Sequence, residues 1–370
     1  MSTTRGLEGI VATQSSVSSI IDGVLTYAGI DIDELAENAS FEEVVYLLRH
    51  QKLPNESQLQ QLKKELAENS SIPDAVINML KAFPKDNHPM AVLRTAISAL
   101  ALYDAEAQDM SKEANLRKAT RLQAKIATVV AAYNRIREGK EVVAPRPEFG
   151  FAQNFLYMLN GEEPKDIAIE AFNKALVLHA DHELNASTFA ARVTVATLSD
   201  IYSGITSAIG ALKGPLHGGA NEAVMAMLEE IGEPSNVESY IRSKLDNKEK
   251  IMGFGHRVYK DGDPRAKHLR EMSKRLTEIT GQPKWYEMSE KIDEIVVSEK
   301  GLLPNVDFYS ASVYYSLGIP RDIFTPIFAI SRMSGWTAHI LEQYDNNRLI
   351  RPRAEYIGPV HAHYVPLSER

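Results

Sequence analysis

Apolar residues recur along most of this chain at the spacing of a buried helical face. Between Leu116 and Lys140, the residues Leu122, Ile126, Val129, Val130, Tyr133 and Ile136 follow the i, i+4, i+7, i+8 rule, which predicts a long amphipathic helix. The same recurrence predicts helices over 55–68, 88–103, 164–179, 263–280 and 321–343. SFEE ahead of VVYLLRH sets Ser40 and Glu43 three apart, the spacing at which each side chain satisfies the other's free backbone N–H, so a helix starts there. Leu53-Pro54-Asn55, Asn160-Gly161, Gly232-Glu233-Pro234 and Leu303-Pro304-Asn305 separate these elements. Alternation of period two never persists, and extended pieces are expected only near 9–12 and 141–144. The pattern predicts an all-α protein without internal repeats.

From Ala186 to Leu212 only Arg192 and Asp200 carry charge, and Ala, Ser, Thr and Gly dominate. Small residues let backbones approach closely, so the segment predicts one central helix, buried in the protein or at a subunit interface. It ends at KGPLHGGANE, residues 213–222, after which ANEAVMAMLEE begins another helix.

At 370 residues the chain exceeds the size at which one core usually stops growing. Two unequal domains are expected, a smaller one over 219–322 and a larger discontinuous one over 1–218 and 323–370. A net charge of −8 argues against nucleic acid or an anionic membrane as partner. Residues 257–275 run against that balance with seven Lys or Arg and three Asp or Glu, a local basic excess. The absence of cysteine excludes disulfides, thiolate metal sites and cysteine nucleophiles. With no signal-peptide apolar core and no run long enough to span a bilayer, a cytoplasmic protein is expected.

Four stretches carry candidate chemistry. HADHE at 179–183 puts His179 and His182 on one face if the helix continues, but its order differs from both zincin motifs and no third ligand follows, so no metal is expected. His217, among glycines at a helix N-terminus, is either a turn cap or a neutral imidazole able to donate to a carbonyl oxygen as negative charge builds on it. GFGHRVYKDGDPR joins Gly253, Gly255 and His256 to the cations Arg257, Lys260 and Arg265, a combination suited to phosphates or carboxylates. Asp307 in PNVDFYS is either a helix-start carboxylate or a general base partly desolvated by Phe308 and Tyr309. Arg332 and Arg351 are ordinary surface arginines unless an anion needs them.

Taken in order, HADHE with NAST, GPLHGGANEAV, GFGHRVYKDGDPRAKHL, PNVDFYS, the SR of SRMSGW and the RP of RPR resemble the citrate synthase family. RGLEGIVA near the start and HPM at 88–90 extend the resemblance over almost the whole chain. It implies an all-α, two-domain citrate synthase-like fold, in which a smaller mobile helical domain closes over the substrates, and a homodimer. The implied reaction condenses oxaloacetate with acetyl-CoA and hydrolyses citryl-CoA to citrate and CoA. Asp307 would take a methyl proton, His217 would donate to the thioester oxygen, and His256 would polarise the oxaloacetate carbonyl. A thioester C–H is a weak acid, so the carboxylate and the donor must act together. His182, Asn185, Arg265 and Arg332 would hold oxaloacetate, with Arg351 reaching over from the partner subunit, a charge match for a dianion. CoA would lie along Gly253, Gly255, Arg257 and Lys260, with Arg5 as a further contact. The thioester is then a co-substrate, and neither a tightly bound cofactor nor a metal is implied.

Two features depart from the family pattern. Tyr27-Ala28-Gly29 stands where the family carries Tyr-Arg-Gly. The first shared motif also lies close to the start, which leads us to expect a dimer without the NADH inhibition of hexameric members. A closing hinge is expected near Gly218 and Gly219. The nearest alternative is 2-methylcitrate synthase acting on propionyl-CoA, since one methylene changes discrimination by only about 1–3 kcal/mol. A non-catalytic CoA- or anion-binding relative and a metal-dependent hydrolase built on HADHE are the readings from other classes.

Overall fold

A computed structural model describes residues 5–7, 9–256 and 258–370. Among them are sixteen α-helices and one three-stranded sheet. The sheet comprises β1 (Ser18–Ile21), β2 (Val24–Tyr27) and β3 (Ile30–Asp31), antiparallel and in chain order. Residues 9–12 and 141–144, expected to be extended, form no strand. The hairpin signal lay instead in Asp22-Gly23 and Ala28-Gly29, two-residue turns with positive φ at both positions (52° and 81°, 46° and 84°).

The first helices are α1 (Ile32–Asn38), α2 (Phe41–His50), α3 (Glu56–Glu68), α4 (Asp74–Ala82), α5 (Pro89–Leu100) and α6 (Lys112–Arg137). Ser40 and Glu43 form the expected capping box of α2, and Asn55 with Gln58 forms another on α3. Next come α7 (Phe151–Asn160), α8 (Asp166–His179), α9 (Ala186–Val195) and α10 (Ile201–Leu212). The segment expected as one helix over 186–212 is therefore two. Leu198 turns left-handed (φ 65°), and Asp200 caps α10 by accepting the Ser203 N–H. Small residues serve the fold-back. A Cβ on Gly204 would come within 2.6 Å of Val195 Cγ1 and 3.0 Å of Ile340 Cδ1, so α9, α10 and the last helix meet where only glycine fits.

The segment 219–322 contributes α11 (Ala220–Ile231), α12 (Val237–Asp246), α13 (Pro264–Ile279), α14 (Lys284–Lys300) and α15 (Val306–Ser316). Here α15 packs between α11 and α13, while α12 packs on α14. This group is seated on the rest of the chain through α13, which lies against α1 and α8. Asp33 of α1 pairs there with both Lys267 (2.5 Å) and His268 (2.6 Å).

The last helix, α16 (Phe324–Asp345), is buried at every position from Phe324 to Ile340 and packs on α2, α6, α8, α9 and α10. A helix buried on all sides lies at a centre, and its polar side chains, among them Ser331, Arg332, Ser334, Thr337 and His339, must find partners inside. Each large side chain buried there, such as Trp336, contributes about 1.5–3 kcal/mol. After Asp345 the chain runs out as an exposed tail without regular structure except at Leu367–Glu369. No described helix is long and apolar enough to cross a membrane.

Candidate active site

The centre of the site is the turn after α8. That helix stops at His179, so His179 and His182 do not share a helical face as the spacing alone suggested. The turn is fastened to α16 instead: Arg332 Nε donates to His179 O (2.9 Å) and Gly335 N–H to Ala180 O (3.1 Å). Tyr27 completes the anchorage, its hydroxyl donating to Val177 O (3.0 Å) and accepting the Asp181 N–H (3.2 Å).

His179 lies wholly inside, with Nδ1 at 2.8 Å from Ala175 O. A carbonyl only accepts, so Nδ1 carries the proton, and burial with the nearby Arg265 pushes the pKa down to about 3. His182 points the other way, with Nε2 3.1 Å from the Tyr259 hydroxyl and its ring centroid 5.2 Å from that of His256. Burial, then Arg265 and Arg332, hold it neutral, well below the ordinary histidine pKa.

His217 lies in a tight turn in which Gly218 packs on the Leu212 backbone too closely for any Cβ. Its Nε2 receives the backbone N–H of Ser187 (3.3 Å) and lies 2.8 Å from Ser187 Oγ. A backbone N–H only donates, so Nε2 is unprotonated and Nδ1–H is the free donor. Ser187 Oγ also accepts the Trp336 indole N–H (3.0 Å), which fixes the hydroxyl in turn. Burial and then Arg332 bring the His217 pKa down to about 4.

His256 has the opposite tautomer. Its Nδ1 accepts the N–H groups of Val258 (3.1 Å) and Tyr259 (3.3 Å), leaving Nε2–H to donate. Burial and then Arg265 lower its pKa. The strand-like piece before it is stitched to the entrance of α15. Asn305 N–H donates to Gly253 O (2.9 Å), Gly255 N–H to Leu303 O (2.9 Å), and Asn305 Nδ2 to Gly255 O (3.0 Å). Gly253 has φ 83°, and a Cβ there would sit 2.8 Å from both Phe308 Cδ2 and Val224 Cγ2.

Two residues past Asn305 comes Asp307, in the first turn of α15, where the helix dipole favours a carboxylate. Burial outweighs that: Oδ1 is sealed from solvent without a hydrogen-bond partner, and the pKa is pushed up to about 6. Arg265 and Arg332 act on Asp307 and on His182 alike. Arg265 is held bidentately by Asp263 (2.9 and 2.8 Å), which also accepts the Val306 N–H (3.0 Å). Arg332 is different. It has no carboxylate at bonding distance among the described residues; its guanidinium lies 4.8 Å from the Phe328 ring centroid, and burial lowers its pKa to about 10. Asp181 and Asp307 act on it only from beyond bonding distance, so this buried guanidinium is suited to receive an anion.

The structure therefore gathers His182, His217, His256, Arg265, Asp307 and Arg332. Asn185 stands beside them as the cap of α9, with Oδ1 accepting from Thr188 N–H (3.1 Å) and Nδ2 donating to Thr188 Oγ1 (2.9 Å). Lys260 is exposed, and Arg351 is exposed in the C-terminal tail. Arg257 and the side chain of Arg5 lie outside the described residues. Tyr259, Asp263, Ser187 and Trp336 escaped the sequence reading. Asp263 alone had a local signal, its placement in DPR two positions ahead of the arginine it holds. Among the described residues no group of three or more His, Asp or Glu could hold a metal ion.

Comparison with known proteins gives a consistent picture. The family described as citrate synthase, C-terminal domain, matches residues 6–353. The chain is 70% identical to citrate synthase 2 of Bacillus subtilis over the full length of both, and 44% identical to the citrate/2-methylcitrate synthase of the same organism over 96% of each. Among solved structures it resembles the ternary complex of Thermoplasma acidophilum citrate synthase with carboxymethyl coenzyme A and oxaloacetate, at TM-score 0.93 and 36% identity over 100% of both chains.

Proposed function

The chain belongs to the citrate synthase family and condenses oxaloacetate with acetyl-CoA, and on that footing we propose how its own residues divide the reaction. Oxaloacetate sits between Arg265 and Arg332 with His182 beside it. Because Asp263 already neutralises Arg265, one chain offers a dianion little more than the single uncompensated charge of Arg332. The exposed tail supports Arg351 as the missing cation, supplied to the partner's site in a homodimer.

Asp307 then removes a methyl proton from acetyl-CoA, while Nδ1–H of His217 donates to the thioester oxygen on which charge develops. The resulting enol or enolate attacks the oxaloacetate carbonyl carbon. Nε2–H of His256 polarises that carbonyl and stabilises the alkoxide. Water finally cleaves citryl-CoA to citrate and CoA. The thioester binds along Gly253 and Gly255 with Lys260 and Arg257 near its phosphates. Asn185 contributes by capping α9 beside His182. Residues 219–322 form the mobile domain, turning near Gly218 and Gly219, in a cytoplasmic dimer.

The observation that carries this reading is the pairing of two neutral histidines with opposite tautomers and a carboxylate of raised pKa in one partly buried cluster. Thiol release from acetyl-CoA and from propionyl-CoA, each with and without oxaloacetate, tests it. Oxaloacetate-dependent release with acetyl-CoA preferred is expected. Preference for propionyl-CoA moves the assignment to 2-methylcitrate synthesis, and no release defeats the catalytic reading.

A further inference from the structure

Against the 179–185 turn packs a chain of polar groups that the proposed reaction does not use. It begins at Glu342, paired with Arg192. Arg192 is 1% exposed and donates through Nε (3.2 Å) and Nη2 (2.8 Å) to Nδ1 of His339. A guanidinium only donates, so His339 carries its proton on Nε2, and that N–H reaches Asp181 Oδ2 at 3.0 Å. The Ser18 hydroxyl donates to the same oxygen (2.5 Å) and accepts the Glu183 N–H (2.9 Å), closing the turn from β1. Asp181 is fully buried, and although burial alone would raise its pKa, His339, Arg332 and Ser18 hold it below the usual carboxylate value.

Asp181 immediately precedes His182. Along α16, Arg332, Gly335, Trp336 and His339 fall at i, i+3, i+4 and i+7, one stripe facing that turn. So the helix that presents Arg332 to the substrate also anchors, through His339, the turn that presents His182. We propose that His339 is a positioning residue for oxaloacetate: acting through Asp181, it locks the separation of His182 from Arg332. The inference rests on the oxaloacetate site described above.

The test measures KM for oxaloacetate and for acetyl-CoA separately, together with kcat and melting temperature, in H339A, H339Q, S18A and H182A. H339A removes the donor to Asp181 and is expected to raise oxaloacetate KM about tenfold, with acetyl-CoA KM near the parent value. Glutamine offers an N–H to Asp181 and an oxygen to Arg192, so H339Q restores most of the loss. S18A removes a smaller contact to the same carboxylate and raises oxaloacetate KM about threefold; it decides the matter alone if H339A does not fold. A lowered melting temperature with unchanged oxaloacetate KM in H339A and S18A, while H182A raises that KM, overturns the positioning role but leaves the site intact. If H182A also leaves it unchanged, the oxaloacetate site itself fails and the inference with it.

Discussion

The backbone N–H of Ser187 points at Nε2 of His217 from 3.3 Å, and this one contact decides which side of the imidazole can act. Since that nitrogen must accept, the proton sits on Nδ1. At His256 the two N–H groups of Val258 and Tyr259 impose the reverse arrangement.

Opposite tautomers predict opposite tolerance to amides. Asparagine places an N–H where Nδ1 lies and glutamine places one where Nε2 lies. H217N should therefore retain more kcat than H217Q, and H256Q more than H256N, with the poorer member of each pair down about 10²–10³-fold. Equal loss in both members of each pair would remove the tautomer assignment.

Replacing Asp307 by Asn should lower turnover about 10²–10⁴-fold while oxaloacetate binding, followed by calorimetry, stays close to the parent. The same variant should be more stable above pH 6. The folded pKa is raised, so protonated Asp307 favours the native state at low pH and that contribution is lost as pH rises through about 6. The loss builds up between the ordinary aspartate pKa of about 4 and the folded value of about 6, so melting curves of parent and D307N should separate fully above pH 6 and converge only below about pH 4. Lower stability of D307N at pH 8 would contradict the unpaired, buried carboxylate.

The acid limb of activity follows from the same group. A base must be ionised, so kcat/KM should fall as pH drops through about 6, the Asp307 value. His217, with a pKa near 4, stays neutral through that range and does not shape the limb. A profile flat down to pH 5 would contradict the raised pKa of Asp307.

Gly335 leaves no room for a side chain, since a Cβ would lie 2.6 Å from Ala180 O and closer still to Asp181 Oδ1. Gly335→Ala gains helix propensity, worth about 1 kcal/mol, yet must push the turn off α16. We expect a net loss of stability and an oxaloacetate KM raised about tenfold or more. A variant as stable and as tight as the parent would show that the turn shifts freely.

If Arg351 serves the partner's site, two inactive homodimers should complement each other. In a D307N/R351A hybrid one site has both native residues and the other has neither. Refolding an equal mixture should therefore recover about a quarter of the parent activity. No recovery would assign Arg351 to its own subunit.

Much of the architecture was legible because helix periodicity is local. The faces of α3, α5, α6, α8, α13 and α16, and the capping box at Ser40, come from residues a few positions apart. The break at 196–200 was not, since its signal is one left-handed Leu198 and an aspartate that reads equally well inside a helix. The β1–β2 hairpin was overlooked although Asp22-Gly23 marks it, because the flanking strands are only four residues long.

For the site, the sequence by itself determined the chemical inventory: which histidines, arginines and aspartates stand among glycines and helix starts, and in what order. It could not determine which nitrogen of each histidine holds the proton, that Asp263 pairs with one arginine while Arg332 has no carboxylate at bonding distance, or that Oδ1 of Asp307 is sealed from solvent. Those properties depend on partners as distant in sequence as Ser187 from His217 and His339 from Asp181, and on the water that packing removes. Protonation and field are properties of surroundings, and only the tertiary structure assembles the surroundings.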